Sequence, residues 1–153
     1  GEVDERYHVE KATYAFCKYV QDSYDKFGSW TLVAASYNGG MARVQSQMDR
    51  QKMEDYYDLL FVSETQRYVF RIAALKLNLE NPEQYNFRVE EKDKYPVIKV
   101  REVEISGSVN SFADFAIKNG ISYKMLKEFN PWLRDNKLTN SKGKKYTVQI
   151  PVK

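Results

Sequence analysis

The sequence predicts an α+β protein, with a mainly helical first part followed by a small βααβ unit. Apolar residues recur at spacings of three and four over residues 9–27 and 63–77, which indicates amphipathic helices. Alternating apolar residues mark two short strands, at residues 97–106 and 146–151. Two short helical patterns lie between these strands, so the second part has the order strand, helix, helix, strand.

Length and composition are compatible with two small domains. The 153 residues are 42% hydrophobic and 29% charged, and no run of about 18 apolar residues occurs, so no membrane span is predicted. After Pro82 the helical period gives way to a polar, charged stretch that ends at Pro96. We therefore predict one domain over residues 1–90 and a second over 97–153.

The first predicted helix runs from Val9 to Phe27, with Gly28 as its stop. Its apolar residues follow helical spacing and are Val9, Ala12, Phe16, Val20, Tyr24 and Phe27. We expect Trp30 and the aromatic residues between positions 14 and 27 to belong to the core, because large aromatic side chains are highly buried on average.

A short apolar run, Trp30–Tyr37, predicts a buried helix, and Asn38–Gly40 predicts a break after it. Met41, Val44 and Met48 then indicate a further helix. A capping signature follows, in which Ser63 precedes Gln66 by three positions, so the next helix should begin with Ser63 as its cap and stop at Asn81-Pro82.

The second part begins with a predicted strand over residues 97–106, in which the step from Val100 to Val103 indicates a bulge. Ser111 and Ser122 are predicted N-caps of two short helices. The last strand leads into Pro151.

Charge and rare residues exclude several classes of function. Residues 91–153 hold 13 Lys and Arg against 7 Asp and Glu, but these cations are scattered and no nucleic-acid recognition motif accompanies them. We therefore expect no nucleic-acid partner. The single Cys17 and single His8 stand without other ligand-type clusters, so neither a metal site, a disulfide nor a cofactor is predicted.

Two motifs in the first part carry a resemblance to a known family. Residues 36–40 read S-Y-N-G-G and residues 64–69 read E-T-Q-R-Y-V, and V-D-E-R stands at residues 3–6. The chain resembles the lytic murein transglycosylases, specifically the membrane-bound D type, whose motifs are A-Y-N-x-G and E-T-x-x-Y-V. The resemblance covers residues 3–87 and implies the C-terminal half of a lysozyme-like domain.

The second part is similar to a LysM domain. The pattern is met by Ser106-Gly107, by residues 120–122 and 126–130, and by the closing V-Q-I-P at 148–151. The usual G-D-T-L start is replaced by G-S-V-N at residues 107–110. The βααβ fold is therefore expected, while binding of glycan by this unit stays open.

The resemblance implies a chemistry. Such enzymes cleave the β-1,4 bond between N-acetylmuramic acid and N-acetylglucosamine and leave a 1,6-anhydro end, using one glutamic acid in a Glu-Ser motif. No Glu-Ser dipeptide occurs in the chain, and we expect that segment to lie upstream of Val3. Glu64 is then a supporting residue of the groove, and no catalytic acid is assigned within the chain.

The resemblance also implies a substrate-binding set, Tyr37, Asn38, Glu64 and Tyr68. Tyr37 stacks on a sugar or packs under the next helix, and Asn38 bonds a sugar or caps the broken helix. Glu64 and Tyr68 lie four positions apart, on one face of a helix.

The implied partner is the glycan strand of peptidoglycan, in an extracytoplasmic compartment (the periplasm), with outer-membrane association through the full-length protein. A non-catalytic wall-binding module is the alternative, and a helical protein that binds another partner is a third reading. The apolar run Leu32–Tyr37 also predicts that the fragment either self-associates or repacks.

Overall fold

The computed structural model describes residues 1–152 and confirms the α+β class. The main elements in chain order are α1 (Val9–Phe27), α2 (Trp30–Gly39), α3 (Met41–Gln51), α4 (Ser63–Glu80), β1 (Val100–Ile105), α5 (Phe112–Lys118), α6 (Tyr123–Phe129) and β2 (Tyr146–Pro151). They form two compact units. The helical unit comprises residues 15–94, and the mixed unit comprises residues 1–14 together with the chain from Tyr95 onward.

The core of the helical unit is built around α2, which packs against both α3 and α4. Its buried members are Leu32, Ala35, Val44, Tyr56, Leu59 and Phe61. A buried polar contact joins α1 to α2, since the Ser23 and Ser36 hydroxyls lie 2.6 Å apart. The Tyr19 hydroxyl donates to the Ser36 carbonyl at 2.7 Å. The predicted helix over residues 30–37 is therefore confirmed and its middle is buried within the unit, which is the repacking outcome for this apolar run, whereas Trp30 and Tyr37 at its ends are exposed.

The break between α2 and α3 depends on glycine. Gly40 has a φ of +92°, a conformation that side-chain-bearing residues rarely adopt. Gly39 lies against α4, where an added Cβ would stand 3.1 Å from the Thr65 hydroxyl oxygen. The two glycines thus allow the chain to turn and α4 to approach α2 closely.

The mixed unit has the predicted βααβ order. β1 and β2 pair antiparallel, with Val103 opposite Val148 and an uninterrupted register, so the predicted bulge is wrong. The inner face of the sheet packs with α5 and α6 around Phe112, Leu126 and Leu133, all 0% exposed.

Asn130 binds the edge of β2 that does not pair with β1. Its amide oxygen accepts from the Gln149 N–H at 2.8 Å, and its amide nitrogen donates to the Gln149 carbonyl at 2.7 Å and to the Leu126 carbonyl at 3.0 Å. The side chain is completely buried. A polar residue is tolerated there because its hydrogen-bonding groups have partners.

Residues 1–8, the N-terminal strap, are bound to the loop after α6. Val3 forms an antiparallel bridge with Leu133, and the Arg134 N–H donates to the Glu2 carbonyl at 2.8 Å. The Glu2 carboxylate accepts from the Thr139 N–H at 2.7 Å and from its hydroxyl at 2.6 Å. The strap is therefore an integral part of the mixed unit.

Two of the predicted N-caps, Ser111 and Ser122, are confirmed, and the third, Ser63, is wrong. Ser111 and Ser122 cap α5 and α6, each hydroxyl accepting a backbone N–H at 3.1 Å. Ser63, by contrast, is the first residue of α4, and Val62 stands at the cap position without a side-chain bond. The predicted Ser63 cap is wrong, because the extended residue before the helix is Val62.

The expectation of an aromatic core at positions 14–30 is wrong for several residues. Trp30 is 60% exposed and stacks on Tyr24 with ring centroids 4.4 Å apart, and Tyr14 and Phe16 are also exposed. Helical spacing identifies an apolar face, but these rings are covered only in part, by single aromatic neighbours such as Tyr24 and Tyr37. No helix within residues 1–152 is long and apolar enough to cross a bilayer.

Candidate functional site

Two sequence motifs meet in the helical unit through one hydrogen bond. Asn38 lies near the end of α2, and Thr65 lies in the first turn of α4. The Thr65 hydroxyl donates to the Asn38 amide oxygen at 2.8 Å, and Thr65 is only 2% exposed. The motif at residues 36–40 and the motif at residues 64–69 are therefore in direct contact.

The start of α4 is positioned by Tyr56. Its hydroxyl donates to the carbonyls of Thr65 and Gln66, at 3.0 Å and 2.8 Å. Burial raises the pKa of the Tyr56 phenol above its ordinary value of 10.0, so it stays a donor. Tyr56 thereby anchors the helix that carries Glu64 and Tyr68.

The Asn38 side chain is directed at α4. The end of α2 is closed by the backbone, where the Gly40 N–H donates to the Ser36 carbonyl at 2.7 Å. Because Thr65 occupies the amide oxygen of Asn38, the amide N–H groups are left to donate. A sugar hydroxyl or carbonyl is a suitable acceptor for them.

Tyr37 is both packed and accessible. Its ring meets Phe16 edge-on, with centroids 4.8 Å apart, and Tyr19 at 5.9 Å. The residue is nevertheless 51% exposed. One part of the ring is fixed by α1 while the rest can meet a ligand.

Glu64 lies in solvent beside a cation. Its side chain is 58% exposed, and its carboxylate is ion-paired with Arg71, two turns along α4. Tyr68 follows one turn after Glu64 and is half-buried. A general acid of this chemistry needs an apolar pocket, and the surroundings of Glu64 do not provide one.

Three carboxylates of the mixed unit are held as anions. The Arg6 guanidinium lowers the pKa of Asp4 to about 2. Hydrogen bonds from Thr139 lower the pKa of Glu2, and Lys11 and Lys144 lower that of Glu5. A proton donor requires a raised pKa, so the lowered pKa of each of these groups is unfavourable for that role.

Thr65 is a site residue that the sequence prediction did not single out. It stands inside the motif at residues 64–69, directly after Glu64, so a signal was present. Its contact partner is 27 residues away in the chain, and no local pattern reports such a contact.

Family profiles match both ends of the chain. Residues 1–60 match the transglycosylase SLT domain, and residues 101–153 match the soluble lytic transglycosylase C-terminal LysM-like domain. The chain joins an SLT domain segment to a LysM-like domain. The SLT segment contains Tyr37 and Asn38, while the LysM-like domain forms most of the mixed unit.

Two curated relatives support this assignment. Both are named membrane-bound lytic murein transglycosylase D, one from Escherichia coli K12 and one from Escherichia coli O6:H1. Each is 33% identical over 130 residues, which covers 82% of this chain. The chain spans only 28% of the length of these relatives.

Proposed function

We propose that this chain is the glycan-holding part of a lytic transglycosylase that acts on peptidoglycan. The enzyme would cleave the β-1,4 bond between N-acetylmuramic acid and N-acetylglucosamine and leave a 1,6-anhydro end. The Asn38–Thr65 hydrogen bond carries the proposal, because it assembles the two motif segments into one site. The SLT match and the names of the relatives support it.

Each residue of the predicted set then has a role suited to its surroundings. The accessible part of the Tyr37 ring packs against a sugar face, and the free N–H groups of Asn38 donate to the substrate. Glu64 and Tyr68 extend the same site along α4. Glu64 accepts hydrogen bonds from sugar hydroxyls, with Arg71 holding its carboxylate in place.

The catalytic acid, in this proposal, is supplied by residues outside the 153. It protonates the glycosidic oxygen as the bond breaks, and the muramyl 6-hydroxyl attacks the anomeric carbon and returns a proton to the conjugate base. Glu64 is unsuited to this step because it lies exposed beside Arg71.

A non-catalytic peptidoglycan-binding module is the second candidate. The carboxyl groups of Glu2, Asp4 and Glu5 all have lowered pKa values, so none of these three is suited to proton donation. In either case the partner is a glycan strand, and the compartment is extracytoplasmic. Outer-membrane association would then depend on residues outside this chain.

Digestion of purified peptidoglycan separates the two candidates. We expect the 153-residue chain alone to release no 1,6-anhydromuramyl product by mass spectrometry, and the longer protein that contains the SLT domain to release it. If the chain alone released the product and Glu64→Gln abolished it, Glu64 would be the acid and our assignment would be wrong.

Binding is tested separately by sedimentation with insoluble peptidoglycan. Tyr37→Ala and Asn38→Ala should each leave more of the chain in the supernatant. Tyr85→Ala is the matched control, since Tyr85 is a 42% exposed tyrosine of the same unit outside both motifs. Equal binding by all three variants would contradict the proposed site.

A further inference from the structure

Ser36, the residue before Tyr37, connects α2 to α1 through its hydroxyl. It is completely buried, and so is Ser23 of α1. The Ser36 hydroxyl donates to the Val33 carbonyl at 2.8 Å. Because a serine hydroxyl carries a single hydrogen, the Ser36 oxygen accepts from the Ser23 hydroxyl, which lies 2.6 Å away. Ser23 is therefore the donor in this contact between the two helices.

The Ser36 carbonyl forms a second connection between the same helices. It accepts from the Tyr19 hydroxyl at 2.7 Å and from the Gly40 N–H at 2.7 Å. A carbonyl oxygen has two lone pairs, so both are used. The first bond holds α1, and the second closes the end of α2. The backbone that leads into Tyr37 is thereby bound to α1.

The face of α1 that binds this backbone also holds the Tyr37 ring. Phe16, Tyr19 and Ser23 recur at spacings of three and four residues, so they share one face of the helix. The Phe16 and Tyr19 rings meet the Tyr37 ring edge-on, with interplanar angles of 85° and 71°. Tyr19 therefore contacts both the ring of Tyr37 and the carbonyl directly before it.

These contacts bear on binding because Tyr37 is 51% exposed. A half-exposed side chain without such contacts is free to change rotamer, and that freedom is lost when a ligand binds. A ring that is already held loses less freedom, so the same contact with the ligand gives tighter binding. Loosening the ring should therefore weaken binding without removing any contact with the ligand.

We propose that Tyr19 and Ser23 are positioning residues, which hold Tyr37 in the orientation in which it meets a sugar. The sugar-binding role of Tyr37 rests on the proposed function. Ser23 is buried, and the Tyr19 hydroxyl is bound to the Ser36 carbonyl, so neither hydroxyl is available to a glycan. Their effect on binding therefore passes through Tyr37.

A double-mutant cycle on binding tests this route. Tyr19→Phe removes the hydroxyl and keeps the ring. In the 153-residue chain it should weaken binding to insoluble peptidoglycan, measured by sedimentation, about fivefold, as for loss of one hydrogen bond. Combined with Tyr37→Ala it should cause no further loss, because the ring that Tyr19 positions is gone. Losses that multiplied in the double variant would overturn the proposal, since Tyr19 would then act by another route.

The position of the ring is measured without any glycan, from the ¹H–¹³C NMR signals of the tyrosine rings. The Tyr37 signals are those missing from the Tyr37→Ala spectrum. They should shift in Tyr19→Phe and in Ser23→Ala, and Tyr19→Phe alone decides the outcome if Ser23→Ala does not fold. Ser29→Ala is the matched control, because it removes a contact of 2.9 Å between the Ser29 and Thr31 hydroxyls at the start of α2. It should leave both the Tyr37 signals and binding unchanged.

The two measurements keep this inference apart from the proposed function. Tyr37 signals that stayed in place in Tyr19→Phe and Ser23→Ala would overturn the positioning role and leave the proposed function intact. If the signals moved but Tyr37→Ala bound peptidoglycan as tightly as the parent chain, the proposed sugar-binding role of Tyr37 would be wrong. The positioning role in sugar binding would then be wrong with it.

Discussion

Thr65 determines where the amide of Asn38 points. Thr65→Val removes the hydroxyl that donates to Asn38 and leaves a partly buried oxygen without its partner. We expect a loss of about 1 kcal/mol in the free energy of unfolding, together with weaker binding to peptidoglycan. Chemical denaturation and sedimentation with peptidoglycan measure the two effects. Thr65→Ser should restore both, and a Ser variant that behaved like Val would contradict the role of the hydroxyl.

Asn130 makes a different kind of contribution, to the stability of the mixed unit. Asn130→Ala removes three hydrogen bonds and leaves the buried edge of β2 unpaired at Gln149. We expect a loss of about 2–4 kcal/mol in the free energy of unfolding, since each unsatisfied buried group costs about 1–3 kcal/mol. Urea denaturation checks this value. The exposed Asn136→Ala should change it by less than about 0.5 kcal/mol.

For single residues, roles that depend on neighbours in the chain could be predicted from the sequence. Roles that depend on contacts between residues far apart in the chain could not. Ser111 and Ser122 cap helices that begin at the next residue, so spacing alone identifies them. The sequence places Asn130 only at the end of the LysM-like pattern at residues 126–130. Its bonds to Gln149 span 19 residues, and nothing near Asn130 in the chain indicates them.

Among the elements, α4 carries a row of exposed apolar residues along one face. Ile72, Leu75 and Leu79 recur at helical spacing and are 46%, 61% and 72% exposed. Apolar faces of this kind promote association. We therefore predict that the chain self-associates with increasing concentration, and that Leu75→Lys with Leu79→Lys makes it monomeric. Sedimentation velocity measures both, and a monomeric parent chain at high concentration would contradict the prediction.

The exposed face of α4 illustrates that the bounds of a helix were easier to predict than which of its faces is buried. The bounds of α1 match the prediction because periodicity and Gly28 are local signals. Periodicity shows that a helix has an apolar face, but it does not show whether another element covers that face. Trp30 and Phe16 were therefore assigned to a core that does not cover them.

For the whole molecule, acid should release the N-terminal strap. Thr139 lowers the pKa of Glu2 from its ordinary value of 4.5, and Lys11 and Lys144 lower that of Glu5. A carboxyl group with a lowered pKa stabilises the folded state above pH 4.5, and this stabilisation is lost as the pH falls through the folded-state pKa. We expect hydrogen-exchange protection of the Arg134 amide, which donates to Glu2, to fall below pH 4.5.

Glu2→Gln is the control for this transition. The amide oxygen can still accept from Thr139 but does not titrate, so the pH dependence at Arg134 should be reduced. Protection that fell equally in both proteins would assign the transition to other groups, such as Asp4 with its pKa of about 2.

The strap is also the feature of the whole molecule that sequence patterns did not predict. The helical part and the βααβ order follow from periods of 3.6 and 2 and from local stops. The bridge from Val3 to Leu133 joins residues 130 positions apart, and the strap itself is too short and polar to show a period. Its pairing depends on groups that only folding brings together.

The placement of the two tryptophans gives the chain an internal pair of optical reporters. Trp30 is exposed in the helical unit, whereas Trp132 is buried in the mixed unit, against His8 at the end of the strap. Fluorescence from Trp30 should be red-shifted and quenched readily by acrylamide, while Trp132 should emit further to the blue and resist quenching. With Trp30→Phe, the remaining emission would follow the mixed unit alone, without any attached dye.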